Sequence, residues 1–520
     1  MKEVFANFMA DKITQGTFSS NNYELNFLLT HFPRAYAVDR TAGANPIRQP
    51  LANLQEAGTL YGAIIYDKAP IMMRQLERLM GADAFRDGLR EYLKNYHFGN
   101  ATWPDLIAIL DKRIPVDLQA WNKVWVNTPG RPQFSYAMGQ KDQVISKLVI
   151  TQKGERSENY LLPQFFEIAL VYGDRVEELS VNMNKAQVEV KEATGKQVPR
   201  YILFNSSGEG YGLFPVEKNM YNNLDDLSNA VMRASAYINL YENMLNGNTV
   251  RLKDLLKILL SVLFKEPEEL NLSLITGHIA DIYWRLLMPA ERTKIASDVE
   301  AILWRTMQQQ TLAAKKKILF RTFQNIALTK ESFDTLYQIW KTQTPPPGVK
   351  LNEEEYTSLA LSLAVKQHPD TAILTVQQNR ITNPDRKQRL EFLKPALSAD
   401  VKTRDAFFAS LKNQSIRKKE AWVQDALSYL HHPLRATTSI RYLKESLEML
   451  QEIQLTGDIF FPGAWLSATF GNYQSREAAA IVSDFLKSHP RYNPKLKAKI
   501  LQAADPLFRA EKLLKPIPSN

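Results

Sequence analysis

The spacing of apolar residues changes period twice along the chain. Up to about residue 130 it is helical. "MKEVFANFMADKI" puts Val4, Phe5, Phe8 and Met9 on one face, with Glu3 just ahead of that stripe. "APIMMRQLERLMG" places Ile71, Met72, Leu76, Leu79 and Met80 together and stops at Gly81, a C-cap residue. "DAFRDGLREYLKNY" turns Phe85, Leu89, Tyr92 and Leu93 inward, and Thr102 is placed to cap "WPDLIAILDKR". Pro129, Gly130 and Pro132 close this stretch.

From about 133 to 215 the period shortens to that of strands. "QVISKLVITQ", "FFEIALVYG", "RVEELSVNM", "QVEVKEA" and "RYILFNSSGEGYGLF" follow one another with Gly, Asn or Asp between them. That rhythm predicts a small antiparallel β-sandwich of about seven strands. From 216 onward only amphipathic helices remain, from "DLSNAVMRASAYINLYENML" (226–245) to "PKLKAKILQAADPLFRAEKLL" (494–514). Helices of this length in series, without a strict repeat, predict a stacked α-solenoid of the HEAT/ARM kind. The expected fold is multidomain and mainly α, divided at 1–132, 133–215 and 216–520.

Composition narrows the function only by exclusion. The chain has 520 residues, a formal net charge of +10 and no cysteine, so disulfides, thiolate metal sites and a cysteine nucleophile are ruled out. The basic run "AAKKKILFR" (313–321) interleaves with apolar residues and reads as a solvated helix face, not a nucleic-acid site. No apolar run is long enough to span a bilayer. The seven histidines contain no H-E-x-x-H. His97 follows a helix and should satisfy its last carbonyls, while His431 and His432, before Pro433, read as a surface feature. P-loop, G-x-S-x-G and G-x-G-x-x-G motifs are also missing. One stretch resists this account: residues 39–73 run long without helical periodicity before "IIYDKAP", the behaviour of functional loops.

The order of phrases resembles the later part of an aminopeptidase N-like zinc metallopeptidase of the gluzincin group. "MKEVFA" is similar to the tail of the family's W-[LM]-x-E-[GV]-F-A phrase, and "IYDKAP" to its Tyr-x-Lys-Gly phrase, with Ala69 in place of Gly. "DRTAGANPI" resembles an Asp followed by a Ser-His-Pro-Ile-like element but carries Ala44 and Asn45, so any role of that His is not carried over. "WVNTPGRP" and "LFNSSGEGYGLFP" resemble the ends of the catalytic domain and of the β-sandwich.

The resemblance implies that 1–132 is the helical half of a thermolysin-like catalytic domain. It implies Glu3 as the third zinc ligand and Tyr66 as the hydrogen-bond donor to the tetrahedral oxyanion. Glu56 and Asp39 could line the same cleft. The family's zinc histidines and general base belong to H-E-x-x-H, which these 520 residues lack. Met1 is then expected to be the native methionine of a W-M-K-E phrase. The chain alone is expected to bind no zinc and to be inactive, with peptides and the absent N-terminal half as partners. The competing expectation is a non-catalytic α-solenoid that binds peptides or a protein partner.

Overall fold

A computed structural model describes residues 2–17, 22–51, 60–157, 160–247 and 249–514, with side chains from Val4 onward. The chain is multidomain and mainly α, with two small antiparallel sheets, and it separates into two compact units, Met1–Arg251 and Leu252–Asn520.

The first unit begins with α1 (Lys2–Thr17) and α2 (Tyr23–Asp39), the latter capped by Asn22, whose side chain accepts from the Leu25 amide. After an irregular stretch, a single π-helical turn, Ile64–Lys68, runs directly into α3 (Ala69–Met80). Gly81 ends α3 at φ 80°, a backbone region that favours glycine. Then come α4 (Ala82–Tyr96), α5 (Trp103–Asp111) and α6 (Leu118–Trp125). Thr102 does cap α5: its amide and hydroxyl both donate to Asp105. His97 meets its helix as expected, Nδ1 lying 2.6 Å from the Lys94 carbonyl.

The buried stripes are narrower than the sequence suggested. Val4 and Phe8 are buried, Phe8 edge-on to Phe85 and Phe5 stacked on Tyr92, but Met9 and Leu93 are exposed. Each lies one residue past a buried aromatic, and the helical rotation of about 100° per residue carries it off the packed face.

Six strands are named among the described residues, not seven: β1 (Pro132–Lys141), β2 (Val144–Gly154), β3 (Gln164–Val171), β4 (Val176–Met183), β5 (Gln187–Glu189) and β6 (Tyr201–Phe204). They form the sheets β1-β2-β5 and β4-β3-β6. The inner faces share one core that includes Phe134, Ile150, Phe166, Leu170 and Phe214. The alternate inward positions of each strand supply it. After β6, Asn205 pins the loop that follows, its side chain donating to the Gly210 carbonyl and accepting from the Gly210 amide. Helix α7 (Ala230–Asn246) is sewn to the same region by Ser235, Asn239 and Asn243, which donate to the carbonyls of Asn205, Phe204 and Phe214.

The second unit is a succession of helices from Leu252–Val262 to Asp505–Leu513. The final run (494–514) divides into Pro494–Ala503 and Asp505–Leu513, since Pro506 starts a new helix. Buried Arg and Lys side chains donate to carbonyls at several helix ends. Arg292 donates to Tyr283 and Trp284, Lys366 to Gln324 and Asn325, and Arg435 to Ala396 and Leu397. Two sequence expectations change here. Lys315 of the basic run is buried and donates to the Glu266 carbonyl, while Lys317 and the exposed Arg321 pair with Glu355, so the run is only in part a solvated face. His431 is not on the surface but fully buried, its Nδ1 2.6 Å from the Tyr473 hydroxyl, and burial pushes it down to about 3.

Candidate active site

Tyr66 sits in the π-helical turn, its ring half-buried and stacked on Tyr61 at 6.0 Å. Three consecutive residues of that turn are each held by a different partner. The Tyr66 carbonyl accepts from Asn7 Nδ2 of α1 at 3.2 Å. Asp67 is buried against α2, its Oδ1 3.2 Å from His31 and its Oδ2 3.3 Å from Arg34. Lys68 is buried further along α2, with Nζ 2.6 Å from Asp39 and 3.0 Å from the Gly130 carbonyl it donates to. A π-turn carries one more residue than an α-turn, and here it lets two adjacent charged side chains both reach α2 while Tyr66 stays partly outside.

Asp39 is the centre of the deeper network. Its Oδ2 also accepts from the Tyr211 hydroxyl at 2.8 Å, and its Oδ1 accepts from the Gly130 amide at 3.1 Å. Burial, helped by the Asp39 charge, pushes the Tyr211 phenol well above its usual range and keeps it a donor. Asp39 therefore lines no cleft: it is buried and saturated with donors, a correction to the sequence reading. Beside it, Arg131 pairs with Glu155 at 2.7 Å and Glu242 at 2.8 Å, and Glu242 pairs with Arg40 at 2.8 Å. Burial disfavours the Arg131 charge, but the two carboxylates outweigh it and raise its pKa. These pairs tie the end of α2, the residue before β1, the loop after β2 and α7 together.

The side chain of Glu3 and all of Glu56 lie outside the described residues. His31 was not singled out by sequence, and no motif marks it: its position depends on which carboxylates the fold brings to its two nitrogens. A groove of about 640 Å³ lined by Trp121, Tyr160 and Phe165 does not include Tyr66.

Residues 1–127 match the Peptidase family M1 domain. Over 257 residues, or 45% of the chain, the sequence is 26% identical to aminopeptidase N of Streptomyces lividans. It is 25% identical over 201 residues to the leucyl aminopeptidase of Saccharolobus solfataricus. These matches support an aminopeptidase N-like member of the gluzincin peptidases, with the family model covering the first 127 residues. Aminopeptidase N of Lactococcus lactis is also similar, 29% identical over 122 residues. The matched segments span only 29%, 26% and 14% of those three proteins.

The M1 aminopeptidases depend on zinc. Among the described residues no group of three His, Asp or Glu side chains could hold a metal. His31, which lies between Asp11 and Asp67, has both ring nitrogens directed at carboxylates, 3.2 Å away in each case. A zinc-bound imidazole must offer one nitrogen to the metal. The donors described in this chain thus do not make a zinc site by themselves.

Proposed function

We propose that this chain contributes one side of an aminopeptidase active site: Tyr66 as the donor to the tetrahedral oxyanion and Glu3 as a single zinc ligand. The two histidines and the general base would come from an H-E-x-x-H segment outside these residues. The observation that carries the reading is the Asn7 to Tyr66 hydrogen bond, which joins α1 to the Tyr66 turn. Glu3 lies one helical turn before Asn7, at the four-residue spacing of a shared helix face.

On this reading residues 1–132 are the helical half of a thermolysin-like domain, 133–215 a β-sandwich and 216–520 a HEAT/ARM-like superhelix. Peptides with a free amino end are the substrates. Tyr66, partly buried, would donate from its hydroxyl a bond that strengthens as charge develops on the attacked carbonyl oxygen. Exposed Met9, Ile13, Leu51 and Leu93 support a covering partner over residues 1–132.

The coding DNA ahead of Met1 tests the reading directly. An in-frame H-E-x-x-H segment there, co-produced with this chain, should give zinc-dependent release of an aminoacyl-anilide. No such segment, with the chain binding peptides without turnover, would favour the non-catalytic interaction protein instead.

A further inference from the structure

The position of His31 carries a separate inference, one that needs no role for Tyr66 or Glu3. The ring is buried between α1, α2 and the π-turn, with Nε2 3.2 Å from Asp11 of α1 and Nδ1 3.2 Å from Asp67 of the turn. A neutral imidazole has one N–H. Whichever nitrogen holds it, the other turns a lone pair toward a carboxylate that has no proton to give. Only the imidazolium satisfies both partners at once.

Each of the other charged groups around it has a partner of opposite charge. On α2, Arg34 shares Asp67, and Glu24 is taken by Arg74 of α3 at 2.5 Å. Arg74 itself lies over the ring of Phe27, which packs on His31 at 4.5 Å. Lys12 of α1 pairs with Glu77 of α3, and Lys68 of the turn faces Asp39.

We propose that His31 is a positioning residue and a pH-dependent latch: as the imidazolium it ties the C-terminal half of α1 to the Ile64–Lys68 turn, and on losing its proton it loosens that half of the helix. Burial works against the charge, yet the hydrogen bonds and charges of Asp11 and Asp67 outweigh it, so the pKa is raised above the ordinary 6.5. The sign follows from that direction. The latch is fully closed below 6.5 and is lost as pH rises through the higher folded value.

The test uses the full chain. Histidine labelled at Cε1 and titrated by NMR, with His31→Gln to assign the signal, should show a midpoint above 6.5 that falls in Asp11→Asn. Hydrogen exchange of residues 8–17, corrected for intrinsic rates, should lose protection between pH 6 and pH 8.5. The loss should be about tenfold for each unit by which the His31 midpoint exceeds its unfolded value. Asp11→Asn, at a partly exposed site, should have low protection that no longer depends on pH. Simple packing by His31 would lower protection equally at both pH values. A midpoint at or below 6.5, or equal pH dependence in wild type and Asp11→Asn, overturns the latch. Since no turnover is read, these outcomes are distinct from failure of the aminopeptidase reading.

Discussion

Lys68 Nζ lies 2.6 Å from Asp39 Oδ2, and neither side chain has any exposure to solvent. A charge pair this deep is stable only because further hydrogen bonds support both partners: Gly130 offers both its carbonyl and its amide, and Tyr211 its hydroxyl. Removing one partner strands the other.

Lys68→Met should therefore cost about 3–5 kcal/mol of stability, since it leaves the Asp39 carboxylate buried without its counter-charge. Denaturant unfolding followed by a signal from the first unit measures it. A change under about 1 kcal/mol would mean that Asp39 finds water or is neutral in the fold.

Tyr66→Phe should behave in the opposite way. Its ring remains stacked on Tyr61 and its backbone bond to Asn7 is untouched, so stability should fall by at most about 1 kcal/mol. In the assembled peptidase the same change should cost about 2.7–4 kcal/mol of barrier, read as a lower kcat with little change in KM. A large loss of stability with unchanged kcat would make Tyr66 a packing residue.

In the second unit, burial pushes the Lys366 amine down to about 7, opposed only by the Glu300 charge. Between 7 and the unfolded value of 10.5 the unfolded chain binds a proton that the folded chain does not. Stability of this unit should therefore rise with pH across that window, by about 1.4 kcal/mol per pH unit from this group. Unfolding midpoints of wild type and Lys366→Met at pH 7 and pH 9.5 check it: the variant should lose that part of the slope.

Zinc gives a fourth outcome. The purified chain, stripped with a chelator and dialysed against zinc, should retain less than one equivalent by metal analysis, because three protein donors are the usual minimum for a catalytic site. It should also release no aminoacyl-anilide. Stoichiometric zinc with turnover that survives chelation and repletion would show that the chain completes a site by itself.

Periodicity alone marked four of the helices of the first 130 residues, though not Tyr23–Asp39 or Leu118–Trp125, together with the strand-rich segment and the long helical remainder. Those assignments depend on local spacing: a 3.6-residue period and a 2-residue period lead to different elements whatever the chain later packs against. Local capping was legible for the same reason, at Gly81, His97 and Thr102. A short phrase also drew attention to Tyr66 and Lys68, but nothing local says that Lys68 is buried against a carboxylate 29 positions earlier in the chain.

Tertiary structure decided the rest. Whether Met9 and Leu93 face a neighbour, whether Asp39 lines a cleft or closes a core, and whether His31 and His431 meet water all depend on what the fold brings from far along the chain. Desolvation and charge pairing are properties of that three-dimensional neighbourhood, and a buried ionisable group is held or switched by partners that sequence spacing does not record.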